Sequence, residues 1–288
     1  MTDETRHSQM ELTPRYDGTP PLSIEVPLDD PSVPLLRQRR RLADTLAGID
    51  DAQWRVPSRC AQWSVQDVIA HLIGVNRFWA LSIRSGLAGT PTRFLIGFDP
   101  VETPRAMVEP MRSLTPTAVL HDFVASVDDL ADALSGVDAS SWSRMAEAPP
   151  GHIALRALAL HALWDSWVHE RDIVLPLGLD TVEEADEVEG SLLYAALLGP
   201  GLLATDGRGR SGTLLVEADY PTIRFVIDAG ATVVARPPVA DDAGASRLEG
   251  PAVDLIEGIS ARTPLRHEIR PEDRWMVDGL AAAFDPTR

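Results

Sequence analysis

Residues 151–178 constrain the fold of this chain more than any other segment. Their apolar residues recur at helical spacing on one face and also cover much of the opposite face. The first face carries Ala154, Leu158, Ala162, Val168 and Ile173, and the second carries Leu160, Leu163, Trp164 and Trp167. A helix that is hydrophobic on nearly all sides is buried. The segment is therefore predicted to be a buried helix at the centre of the protein.

Four ionisable residues interrupt the apolar stripe of this predicted helix: His161, Asp165, His169 and Asp172. Burying such groups is costly unless something satisfies them. Asp165 and His169 are four residues apart, so their side chains lie one turn apart on the same face. This spacing is typical of paired metal ligands on a helix. An ordinary hydrogen bond at a helix surface is the alternative, and the expected burial favours the ligand interpretation.

The composition excludes several kinds of chemistry. Cys60 is the only cysteine, so an internal disulfide and cysteine-rich metal motifs are excluded, and a metal site would need nitrogen and oxygen ligands. All 26 basic residues are arginine, which excludes Schiff-base chemistry on lysine and a P-loop lysine. The net charge of −17 disfavours a nucleic-acid partner, because the chain would repel phosphate backbones.

The sequence also predicts where the protein works. It shows no apolar run near the length of a membrane span and no basic leader or signal core at its start. We therefore expect a cytoplasmic protein with no membrane partner. A chain rich in arginine, alanine, aspartate and proline but without lysine also suggests a GC-rich bacterial genome, such as that of an actinobacterium.

The chain is predicted to contain a tail and two structured parts. Residues 1–31 are rich in proline and polar residues and are expected to form a mobile or surface-draped tail without a role in the core. Residues 32–205 are expected to form a helical bundle. Its first helix spans 34–47, with three leucines inward and the arginine-rich stretch 37–41 mostly solvated. Ser64 and Asp67 match a capping box, so a second helix should begin at Val65.

The remaining helices of the predicted bundle are separated by a long connection. Residues 86–113 contain many glycines and prolines, and a connection of this length is usually functional or mobile. Thr115 and Pro116 begin a third helix that Gly136 ends. A further helix is expected over 182–198.

The hydrophobic period changes from helical to alternating beyond Gly207. Strands are predicted over 213–218, 222–228, 232–235 and 246–249, followed by helices over 251–260 and 272–284. Residues 206–288 should therefore form a small α+β domain. The fold class that follows is an α+β protein of more than one part, with a helical bundle first and a small α+β domain second.

Two motifs of the chain resemble those of a known family. The first runs from Trp54 through Cys60, Trp63–Ser64–Val65 and Asp67–Val68 to Ala70–His71–Leu72, and the second comprises Asp165, Val168–His169 and Asp172–Ile173. Both resemble the mycothiol-dependent maleylpyruvate isomerase family, a branch of the DinB-like metal-binding four-helix bundles. Residues 248–255 and Arg262 are similar to the C-terminal domain of that family.

The resemblance implies a divalent metal held by His71, Asp165 and His169, with zinc preferred and iron or nickel as alternatives. The family usually has glutamate where this chain has Asp165. The shorter side chain leaves three arrangements open: ligation through one oxygen, a closer approach of the helix, or a share of the role for His161. Arg262 matches an arginine that handles substrate in the family. Asp172 and His161 are the candidates for orienting a ligating imidazole, and His161 and Arg262 are the candidate catalytic residues.

The activity that the resemblance implies uses a low-molecular-weight thiol, mycothiol or a similar compound. Three protein ligands leave a position of zinc open, and zinc-bound thiol ionises readily. The thiolate would isomerise or conjugate a small electrophile, which an arginine would bind through a carboxylate. A metal-binding module without activity and a non-haem Fe(II) enzyme are the alternatives. Cys60 is interpreted as a small buried hydrophobic residue beside Trp63.

Overall fold

The structure is a computed structural model that describes residues 13–205, 210–266 and 269–284. Its helices are α1 (Ser32–Ala47), α2 (Val65–Leu87), α3 (Glu102–Val108), α4 (Pro116–Ser135), α5 (Leu155–Val174), α6 (Ala185–Thr205), α7 (Ala252–Ile259) and α8 (Trp275–Phe284). Its strands are β1 (Leu22–Ile24), β2 (Met145–Ala148), β3 (Gly151–Ala154), β4 (Gly212–Asp219), β5 (Ile223–Ala229), β6 (Val233–Arg236) and β7 (Ser246–Pro251). The predicted α+β class is confirmed.

Four long helices form the bundle of the N-terminal part. Helix α2 packs against α4 and α5, and α1 packs against the same two helices. The capping box at the start of α2 is present as predicted: Asp67 Oδ2 accepts from the Ser64 backbone, and the Ser64 hydroxyl accepts from the Asp67 backbone. Helix α5 is buried along most of its length, as its apolar pattern predicts. Helices α2 and α5 therefore bring their side chains together inside the bundle.

The C-terminal part is built around a five-stranded sheet with the strand order β1-β6-β5-β4-β7. Strands β4, β5 and β6 form antiparallel pairs, and the outer strands β1 and β7 pair in parallel with β6 and β4. Helix α6 contacts α5 on one side and the sheet, α7 and α8 on the other. The bundle and the sheet therefore share α6. The predicted boundary at 205/206 falls beside residues 206–209, outside the described residues, and remains a prediction.

The prediction of a tail without a role in the core is wrong for residues 22–24. These residues form β1, which pairs with β6 along the edge of the sheet, and Leu22 is buried against α6 beside Gly201. The prolines around this segment predict an irregular tail, and a strand of only three residues is too short to show an alternating pattern. Residues 1–12 of the predicted tail lie outside the described residues.

The buried helix begins later than its pattern predicts. Residues 151–154 form β3, which pairs with β2 in a short antiparallel hairpin, and α5 starts at Leu155. Gly151 has a φ of +118° and lies so close to the backbone of Arg15 that a Cβ would meet its carbonyl oxygen at 2.0 Å. This contact requires glycine and an extended chain. Ala154 is therefore the N-cap residue of α5 and not part of its apolar face.

Two other segments differ in detail from the sequence prediction. The connection over 86–113 contains α3, which packs on α2 with Met107 against Gly74. In α1, Arg39 is completely buried, so the prediction of a solvated arginine cluster is wrong for this residue. Arg39 lies four residues after Leu35 and three before Leu42, which places it on the buried face. Among the described residues, no helix is both long and apolar enough to cross a membrane.

Candidate metal centre

Three side chains from α2 and α5 converge near one end of the bundle. His71 lies in the second turn of α2, and its ring is 5.4 Å from the ring of Trp63. Asp165 and His169 lie on consecutive turns of α5. The His71 and His169 rings meet edge to face, with their centroids 5.0 Å apart. The structure thus brings together the three residues that the sequence predicts as metal ligands.

The spacing of the three groups fits a small cation. Asp165 Oδ1 is 3.7 Å from His71 Nε2 and 3.5 Å from His169 Nε2, and the three atoms lie within 4.8 Å of one another. Ligand atoms around a tetrahedral zinc ion at ~2.1 Å lie about 3.4 Å apart. The side chains are 10–14 % exposed, which leaves the group accessible from solvent. The three residues present therefore fit a zinc ion.

Two buried atoms of this group have no hydrogen-bond partner within the described part of the chain. They are Asp165 Oδ2 and His71 Nδ1. The distances from Asp165 Oδ1 to the two imidazoles are also too long for direct hydrogen bonds. Buried polar groups are normally satisfied. The incomplete bonding is consistent with a group arranged to bind something besides protein.

The opposite edge of the His169 ring is fully hydrogen-bonded. His169 Nδ1 donates to Asp172 Oδ2 at 3.0 Å, and this bond leaves the lone pair on Nε2, the atom that faces Asp165. Asp172 also accepts from Arg262, through Nε at 2.9 Å to Oδ1 and Nη2 at 2.8 Å to Oδ2. Asp172 has the orienting position that the sequence predicts for it.

Cys60 belongs to this hydrogen-bonded edge, contrary to its interpretation as a simple hydrophobic residue. Its thiol donates to Asp172 Oδ2 at 3.1 Å, and its sulfur is 3.6 Å from His169 Nδ1 and 3.8 Å from Arg262 Nη2. Sequence spacing gave no signal for this contact, because Cys60 and His169 are far apart in the chain. The residue is half-buried.

Cys60, His169 and Asp172 form a second group whose atoms could hold a cation. The guanidinium of Arg262 already binds Asp172 and lies beside the sulfur. A fixed positive charge in contact with two of the three atoms opposes a second cation there. The electrostatics therefore favour the group of His71, Asp165 and His169.

The charges of the site are strongly coupled. Burial would raise the pKa of Asp165, but the charge of His169 and the neighbouring His71 and Arg39 side chains outweigh burial and hold that pKa well below its usual range. Burial would lower the pKa of His169, but Cys60, Asp165 and Asp172 together raise it to about 10. Burial keeps the pKa of His71 below its usual value. The metal-free site therefore favours one protonated and one neutral imidazole.

His161 lies one turn before Asp165 on α5, inside a cluster of aromatic rings. Its Nδ1 is 2.8 Å from the hydroxyl of Tyr194, and its ring contacts Trp79, Trp164 and Tyr194 edge to face. Burial is the main cause that lowers its pKa to about 4. Its hydrogen-bonding partner is thus Tyr194 and not a ligand imidazole. Its catalytic role stays a prediction.

Charged residues of the C-terminal part tie that part to the metal centre. Glu257 on α7 accepts from Arg171 at 2.8 Å and binds Arg59, whose Nε lies 3.6 Å from Asp172 Oδ1. Arg262 follows α7 in the chain and binds Asp172 directly. The C-terminal part therefore helps to fix the acid that orients His169.

Comparison with known proteins gives a family match and two structural matches. Residues 35–174 match the family model described as the mycothiol maleylpyruvate isomerase N-terminal domain. A comparison with curated proteins gives no match. Two solved structures match over 83 % of this chain and 90 % of theirs, with 16 % identity and a TM-score of 0.57.

Both structures are of the mycothiol-dependent maleylpyruvate isomerase, one of them a histidine-to-alanine mutant. At this identity they show that the fold is shared. The family match runs from within α1 to the end of α5 and thus includes His71, Asp165 and His169. Residues 35–174 of the chain are therefore similar to the mycothiol maleylpyruvate isomerase N-terminal domain family.

Proposed function

We propose that this protein is a metal-dependent enzyme that uses a low-molecular-weight thiol, mycothiol or a close equivalent, to isomerise or conjugate a small electrophile. The observation that carries the proposal is the convergence of His71, Asp165 and His169 at 3.5–3.7 Å. The family of residues 35–174 and the name of the two matching structures support the choice of thiol and of isomerisation.

The three residues would hold the metal in this proposal, with zinc as the preferred ion. Zinc bound by three protein ligands would lower the pKa of a coordinated thiol toward neutrality and so supply a thiolate nucleophile. Asp172 keeps the Nδ1 proton on His169, so that Nε2 is the ligating atom. The rings of Trp63 and His71 are in contact, and this contact limits the rotation of the imidazole.

Arg262 has two roles in this proposal. It positions Asp172 through a fork of two nitrogens, and thereby acts on His169. Its side chain is also 23 % exposed. Nη1 donates one N–H to the Ser260 carbonyl at 3.0 Å, and the other N–H of Nη1 can bind a carboxylate of the substrate. A carboxylate-bearing electrophile fits this arrangement.

The test has two steps. The first is metal analysis of protein purified without added metal, followed by zinc titration. The second is a screen of small electrophiles with mycothiol and other low-molecular-weight thiols, in which turnover should require both the thiol and the metal. Stoichiometric metal without thiol-dependent turnover would instead indicate a binding module. Activity that requires iron and oxygen would contradict the thiol chemistry.

A further inference from the structure

A completely buried arginine lies next to the candidate metal centre. Arg39 on α1 is 0 % exposed, and none of its three guanidinium nitrogens has a hydrogen-bond partner within the described residues. The nearest carboxylate is that of Asp165, with Oδ2 3.9 Å from Arg39 Nη2. A guanidinium is cationic in proteins at all ordinary pH values. Its burial beside a cation-binding group requires an explanation.

Other acids near Arg39 do not supply that explanation. Glu170, one turn beyond Asp165, accepts from Arg41 at 2.8 and 3.0 Å. Glu187 also binds Arg41. Asp165 is therefore the acid that acts most strongly on the charge of Arg39, and Glu170, which Arg41 already binds, acts on it less.

The two oxygens of Asp165 face different partners. Oδ1 faces the two imidazoles, at 3.7 and 3.5 Å. Oδ2 is buried, has no hydrogen-bond partner and faces the guanidinium. A cation held by His71 and His169 can therefore reach Oδ1, whereas the side of Oδ2 carries a fixed positive charge.

We propose that Arg39 determines the metal affinity of this site by sharing the charge of Asp165. It limits the carboxylate to one ligating oxygen and makes the site bind a divalent cation more weakly than the three ligands alone would. A guanidinium that shares the negative charge of a carboxylate leaves less of that charge to attract a metal ion. The same positive charge favours an anion, such as a thiolate, as the further ligand. This inference rests on the proposed metal site.

The test compares zinc affinity among charge variants of α1, measured by competition with a chromogenic chelator. Arg39→Met removes the charge and should bind zinc about tenfold more tightly, or more. Arg39→Lys keeps the charge and should stay within about threefold of the wild type. Arg40→Met is the matched control, because Arg40 is the exposed neighbour on the same helix, and it should bind zinc like the wild type.

Folding and the coupling to Asp165 are checked in the same series. Thermal unfolding of each variant shows whether it folds, and Arg39→Gln replaces Arg39→Met in the test if the methionine variant does not. In an Asp165→Asn background, the gain from removing the Arg39 charge should shrink to less than about threefold, because the shared carboxylate is absent.

The outcomes separate the two proposals. Unchanged or weaker zinc binding by the neutral variants, with normal binding by the wild type, would overturn the role of Arg39 and leave the metal site standing. An equal gain in the Asp165→Asn background would also overturn it, since the effect would not pass through the carboxylate. A wild-type protein that binds no zinc would overturn both proposals.

Discussion

The two edges of the His169 ring have opposite surroundings. On the Nδ1 edge, Asp172 accepts from His169, Cys60 and Arg262 at 2.8–3.1 Å. On the Nε2 edge, Asp165 lies 3.5 Å away, beyond hydrogen-bonding distance, and its second oxygen has no hydrogen bond. Asp172 thus accepts hydrogen bonds from three side chains, whereas the groups around Asp165 are too far away to form hydrogen bonds with it.

This difference separates support from binding. A saturated acid fixes the tautomer and direction of a ligand imidazole, because its partners leave it no other orientation. An acid whose neighbours are spaced at about the distance of ligands around one ion can gain bonds from a cation. The comparison therefore supports the proposal that Asp172 orients His169 and that Asp165 would bind a metal together with His169.

The largest expected effect follows from removing a ligand on the Nε2 edge. His71→Ala should weaken zinc binding by more than about a hundredfold, beyond what changes in supporting residues usually cost. Isothermal titration or chelator competition would measure the change. His152→Ala is the control, because His152 is a half-buried histidine that bonds backbone carbonyls of Tyr16 and Thr92. Wild-type affinity in His71→Ala would remove α2 from the site.

The next effect follows from weakening the saturated edge. Asp172→Asn keeps the shape of the side chain but loses the charge that binds Arg262 and His169. Zinc affinity should fall by about 10–100-fold. The fall should be smaller in Arg262→Gln, which leaves Asp172 in place as acceptor. Equal losses in both variants would mean that Arg262 acts on His169 as strongly as the acid does.

The pH dependence of zinc binding tests, in the wild-type protein, whether the groups on both edges of the His169 ring keep this imidazole protonated. Burial opposes the charge of His169, but Cys60 and both acids raise its pKa from 6.5 to about 10, so zinc must displace one proton below that pH. Affinity should improve about tenfold per pH unit between about pH 7 and 9.

The raised pKa of His169 should also make the free energy of unfolding of the metal-free protein depend on pH. A raised pKa stabilises the folded state fully below 6.5, and this contribution is lost as the pH rises through about 10. Denaturant unfolding of metal-free protein at several pH values measures the loss.

Zinc affinity that does not change with pH would mean that His169 is neutral before the metal binds.

The smallest effect is expected at Cys60. Cys60→Ser keeps a donor to Asp172 and should change zinc affinity by less than about threefold, because the thiol is a weak donor on the supporting edge. A loss of tenfold or more would place the sulfur among the ligands. Chelator competition with the serine variant distinguishes these results.

The sequence predicted the parts of the candidate site that share a helix or a known motif. The spacing on α5 placed Asp165, His169 and Asp172 together, the capping box at Ser64 placed His71 on α2, and the family resemblance assigned His71 to the site. Spacing and local motifs do not predict contacts between segments that are far apart in the chain. Cys60 and Arg262 meet at Asp172 from segments about 200 residues apart, and no periodic pattern links them.

The errors of the sequence prediction have local physical causes. The run of neighbouring arginines predicts a solvated Arg39, although its spacing from Leu35 and Leu42 puts it on the buried face. Strand β1 was missed because three residues between prolines give no alternating pattern, and its stability comes from pairing with β6. In both cases the composition of the segment predicted burial less well than the position of the residues in the fold.

X-ray absorption spectroscopy of the zinc-loaded protein tests the central claim most directly, because it identifies the atoms bound to the metal. Without added thiol, we predict only nitrogen and oxygen ligands at about 2.0–2.1 Å, from His71, Asp165 and His169. With added thiol, we predict one sulfur ligand at about 2.3 Å, both in the wild type and in Cys60→Ser. A sulfur ligand in the thiol-free wild type that disappears in Cys60→Ser would place the metal on the Nδ1 edge and contradict the account.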